Sequence, residues 1–199
     1  MNPGYFAFVS VACFAALVFS GWDKALCGGI GARRAAALLA GWALALMFEW
    51  RLREGLSLNG GLTLALLLSA AAVRRLGSAA LFSRSLAVAA LTLLWHAYAL
   101  QLKARGIPLF DWQGVGIPAG EAAAAGLMLR QPAAQFAALT WGLAAGEFFA
   151  PESGRGEDFV IGGASFWDSW WPAFLLARAV SLAAEWLAAG VRRLASRIK

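Results

Sequence analysis

The chain has 199 residues, of which 61% are hydrophobic and 14% charged. Soluble domains carry roughly a quarter charged and about half apolar residues, so this balance excludes an ordinary globular enzyme and puts the excess apolar surface against lipid. The net charge of +6 forms no basic stripe. Apart from Arg178, the Lys and Arg side chains fall between apolar runs and at the C-terminus, a pattern that fits anionic lipid headgroups and no nucleic acid.

The apolar runs lie near the roughly 20 residues needed to span a bilayer core. Taken along the chain they predict helices over 5–20, 35–50, 58–73, 85–102, 109–129, 133–149 and 167–191. The first is read as a retained helix, because Met1 to Gly4 holds no Lys or Arg and so lacks the basic start of a cleaved signal peptide. The fifth carries Asp111, Gln113, Pro118 and Glu121 ahead of a clearly helical AAAAGLML. Arg130, Gln131 and Pro132 then read as a tight turn, since proline disfavours helix at the preceding residue and suits the first position of a new one. The expected fold is all-α: residues 1–199 form a single integral membrane domain, a polytopic bundle of about seven transmembrane helices.

Counting Lys and Arg in the connections gives 5 on the N-terminal side and 11 on the other. Without the fifth helix the count is 9 against 7, so the seven-helix arrangement restores the usual cytoplasmic excess of basic loops. The N-terminus is then outside and the C-terminus cytoplasmic, in the cell membrane of a bacterium. The bacterial source rests on small size and Ala-rich composition.

Four ionisable residues fall in the interior of predicted helices, away from their ends: His96, Glu121, Arg178 and Glu185. Charges at membrane depth are costly and usually paired or functional. The ordinary reading of His96, the one histidine, is a neutral imidazole bonded to a neighbouring helix; the functional reading is a proton relay. Glu121 and Arg178 lie at similar distances from the outer ends of their helices, so they are expected to pair, with Glu185 two turns along as a second partner. The GLAAG segment, Gly142 to Gly146, has the small-xxx-small spacing of close helix packing, within the chain rather than between copies. Trp22, Trp50, Trp112, Trp167, Trp170 and Trp171 fall near predicted helix ends and read as an interfacial belt. Glu49, Glu54, Asp111, Glu147, Glu152, Glu157, Asp158 and Asp168 share the outer face, where they are either what remains after basic residues sort inward or a cation-attracting vestibule. Cys13 and Cys27 have neither metal-ligand nor disulfide spacing and read as free thiols. No catalytic motif, metal site or cofactor site is expected.

Three stretches resemble a family: the opening MNPGY with SGW at Ser20 to Trp22, RQPAAQFAALTWGLAAGE from Arg130 to Glu147, and WPAFLLARAVSLAAE. They resemble the YphA-type small multi-pass membrane proteins of spore-forming bacteria, a likeness that implies a cell-membrane protein of unsettled activity and brings no site residues. The functional expectation is a structural or accessory component that binds another membrane protein or lipid. The alternative is a small transporter or channel-like subunit using the buried ionisable residues.

Overall fold

Long Ala- and Leu-rich runs form helices because every backbone polar group is then satisfied within the segment, and the computed structural model is mostly helical. Residues 2–74, 76–105, 116–149 and 159–198 are described. The helices are α1 (Tyr5–Leu17), α2 (Asp23–Cys27), α3 (Ala32–Ala45), α4 (Gly60–Arg74), α5 (Ala79–Ala104), α6 (Gly116–Met128), α7 (Pro132–Phe148) and α8 (Ala164–Ile198). A wide π-type turn over Val18–Trp22 joins α1 to α2, with Gly21 at φ 92° marking the kink, so the two form one bent rod. Three segments, Tyr5–Cys27, Ala79–Tyr98 and Ala164–Ser196, are each long and apolar enough to cross a membrane. Pro132 occupies the start of α7, after an extended Gln131, as the proline geometry requires.

The all-α expectation needs one correction. Strands β1 (Glu49–Arg53) and β2 (Leu56–Asn59) pair antiparallel, and β3 (Phe159–Ile161) adds parallel to β2. The second predicted helix, over 35–50, therefore stops at Ala45. The physical cause is legible in retrospect: Glu49, Arg51 and Arg53 alternate with Trp50 and Leu52, and Gly55 supplies a positive φ of 71° in the turn. The sheet joins the α3–α4 connection to the strand that leads into α8. Two expectations at this level, the placement of 109–115 in the fifth helix and the polar loop 151–158, lie outside the described residues.

Asp168 caps α1. Its two carboxylate oxygens accept from the backbone N–H groups of Gly4 (2.6 Å) and Ala7 (2.7 Å), which would otherwise be open donors at the start of α1. Asp168→Ala is expected to cost about 0.5–2 kcal/mol and to speed hydrogen exchange at those two amides, while leaving amides in α7 unchanged. Equal exchange rates in the two proteins would show that the cap contributes nothing.

Candidate functional site

Two arrangements bring chemistry-bearing residues together. The first starts from glycines on α7. A Cβ at Gly142 would lie 2.5 Å from Thr92 Cβ and 2.7 Å from the Ala89 carbonyl oxygen, and one at Gly146 would lie 2.7 Å from the His96 ring. The absence of side chains at both positions therefore lets α5 settle directly on α7, within one chain. This presses His96 toward α6, where its Nδ1 stands 3.0 Å from Glu121 Oε1, with both side chains buried. A proton between these atoms sits on either one, giving a neutral pair or an internally compensated ion pair, and both states are tolerable away from water. Glu121 Oε2 and the Thr92 hydroxyl are buried and have no hydrogen-bond partner among the described residues. Both residues line a cavity of about 480 Å³ whose other walls include Leu91, Leu94, Trp95 and Tyr98.

The expected Glu121–Arg178 pair is not formed. Helices α6 and α8 do pack together, but a Cβ at Gly126 would lie 2.8 Å from the Ala177 carbonyl oxygen. That register sets Arg178 nearest the level of Gly126, more than a turn below Glu121. Its guanidinium instead gathers helix-end acceptors: Nε donates to Ala25 O at 3.0 Å, Nη1 to Arg130 O at 2.9 Å and to Gln135 Oε1 at 3.2 Å, and Nη2 also donates to Ala25 O. Five donors in a fixed fork suit this task, which ties the end of α2 to the α6–α7 turn. Glu185 lies further along α8, partly exposed, near enough to act electrostatically on the Arg178 guanidinium but not among its hydrogen-bond partners in the described residues.

The acidic outer face also resolves differently. Asp168 caps α1, and Glu147 is buried with Oε2 accepting from Gly162 N–H at 2.8 Å, so neither lines an open vestibule. Glu49 and Glu54 are exposed, while Asp111, Glu152, Glu157 and Asp158 lie outside the described residues.

The second arrangement is an apolar cavity of about 640 Å³ between α3, α4, α7, α8 and the first rod. Phe14, Trp42, Leu64, Ala65, Phe136, Trp167, Trp171 and Phe174 line it, with Cys27, Ile30 and Arg34 toward the opposite end from the sheet. Trp167, Trp170 and Trp171 are buried here and do not belong to a belt, whereas Trp22 and Trp50 are exposed as a belt would have them; Trp112 lies outside the described residues. Burial follows from ring packing: Trp42 meets Trp167 edge-on at 5.0 Å and Trp171 at 5.3 Å, and Trp170 stacks on Phe174 at 5.3 Å. Cys13 and Cys27 are both free thiols.

Comparison with family models, with curated proteins and with solved structures returned no match.

Sequence reasoning named His96, Glu121, Gly142 and Gly146 but missed Thr92, Trp95 and the aromatic cavity. Thr92 was within reach, since it precedes His96 by one helical turn and so shares its face. Trp42 gave no comparable signal, because its meeting with Trp167 and Trp171 depends on the packing of α3 against α8.

Proposed function

We propose that the chain is a multi-pass protein of a bacterial cell membrane that serves as an accessory component, holding the tail of a lipid in the apolar cavity between α3 and α8. The observation that carries this reading is the cavity itself: about 640 Å³, with aromatic and aliphatic walls and a single basic side chain, Arg34, at its far end. Ligand sites commonly measure roughly 300 to 1,000 Å³ and are lined in this way. The loop charges favour about seven crossings, with the C-terminus and Arg34 at the cytoplasmic face, where an anionic headgroup would meet them. The YphA-type resemblance is compatible with this reading and adds no activity to it.

Native mass spectrometry after purification in mild detergent tests the proposal. About one retained lipid per chain is expected, and Ala65→Trp, which fills the cavity from α4, should reduce its occupancy severalfold. Leu67→Trp, at an exposed position of the same helix, should leave it unchanged. Equal lipid retention in all three proteins would contradict the reading.

A second reading, a small proton-coupled transporter subunit, is favoured by the buried His96–Glu121 pair beside the second cavity. Proton uptake into proteoliposomes that disappears with Glu121→Gln would support it. A stoichiometric protein partner in the purified material, without such uptake, would favour the accessory role.

A further inference from the structure

We infer that the cavity beside Glu121 binds a lipophilic organic cation bearing N–H donors, a primary or secondary ammonium on an apolar body. The site is separate from the lipid cavity and does not depend on it. The inference begins with unmet hydrogen bonds. Glu121 is fully buried and uses Oε1 on His96, and among the described residues neither its Oε2 nor the hydroxyl of Thr92, 1% exposed, has a partner. Both residues line the same cavity of about 480 Å³.

When His96 holds the shared proton, Glu121 Oε2 only accepts, so an occupant that completes the site in that state must donate. No Lys or Arg is among the described residues that line the cavity, which argues against an anion. Trp95 and Tyr98 provide aromatic walls of the kind that attract ammonium groups, and Leu91 and Leu94 provide surface for an apolar body. The aromatic wall is built in place: a Cβ at Gly120 would lie 2.5 Å from the Trp95 ring, so a bare glycine next to Glu121 is what admits the indole. An ammonium selects the state in which Glu121 is ionised, with the proton on His96 Nδ1 facing Oε1 and Oε2 facing the cation. A neutral alcohol would complete the hydrogen bonds without the charge, and a quaternary ammonium would bring the charge without the donors.

The test is binding of benzylammonium, benzyltrimethylammonium and benzyl alcohol to the purified full chain in detergent, followed by titration calorimetry. Saturable one-to-one binding of benzylammonium is expected, about tenfold or more tighter than either comparison probe, because only it offers both charge and donors. Glu121→Gln should weaken benzylammonium binding about tenfold or more. Thr92→Val keeps the side-chain shape and preserves the His96–Glu121 contact, so it reports on the site even if Glu121→Gln does not fold; a severalfold loss is expected. Glu185→Gln should bind as the unaltered protein does. Folded protein that binds none of the probes, or binds all three equally, overturns the inference. Unchanged benzylammonium affinity in Thr92→Val overturns it as well.

Discussion

Replacing Arg178 with Met should destabilise the protein more than any other single loss of a polar side chain described above. The guanidinium satisfies the Ala25 and Arg130 carbonyls and Gln135 Oε1 together, and Met keeps the stem while removing all of its donors. Each buried acceptor left open costs about 1–3 kcal/mol, offset in part where water reaches a helix end. A net loss of roughly 2–5 kcal/mol follows, which for a chain of this size lowers the thermal midpoint by roughly 5–15 °C. Arg178→Lys should recover only part of this, because one ammonium cannot span acceptors on two helix ends. Thermal unfolding of the purified variants in one detergent checks the ranking. Equal midpoints for Met and the native arginine would mean that the carbonyls find other partners.

The second large effect is expected at Gly142. Its missing Cβ would sit 2.5 Å from Thr92 Cβ and 2.7 Å from the Ala89 carbonyl oxygen, and the second of these is backbone, which cannot rotate away. Gly142→Leu must therefore push α5 off α7 and carry His96 away from Glu121. Overpacking usually costs about 1–3 kcal/mol, and breaking a buried polar contact adds to that, so little monodisperse protein should survive extraction. Gly190→Ala is the matching control on α8, with nothing within 4 Å of the added Cβ. It should be neutral or stabilising by up to about 1 kcal/mol, since Ala favours helix over Gly. A Gly142→Leu protein that extracts and unfolds like the Gly190→Ala protein would show that α5 and α7 do not rely on close approach.

The helices were legible because apolar length acts locally: the runs 5–20, 58–73 and 133–149 fall within a few residues of α1, α4 and α7, whereas α5 begins six residues before the run 85–102 and α8 ends seven residues after 167–191. The hairpin at Glu49–Asn59 was hidden by continuity: Trp50 looked like the end of an apolar run, although the charge alternation after it has a strand period. Among the site residues, Glu121 and His96 could be singled out by the cost of placing them in apolar helices, but not matched to each other. Counting residues from helix ends treats all helices as level and ignores rotation, and on that basis Arg178 seemed the natural partner of Glu121. The register of Gly126 against Ala177 decides otherwise, and it is a property of two packed surfaces that neither segment states alone. The tryptophans illustrate the same limit. Trp22 and Trp167 occupy similar positions near helix ends, yet one is exposed and the other buried, because only Trp167 meets Trp42 and Phe166.

A cryo-electron microscopy map of the chain in a lipid nanodisc would test the central claim most directly. The account predicts chain-like density between α3 and α8, in contact with Phe136, Trp171 and Phe174, that is absent or broken in Ala65→Trp. A cavity closed by α3 packing onto α7 and α8, with no such density in the unaltered protein, would contradict it.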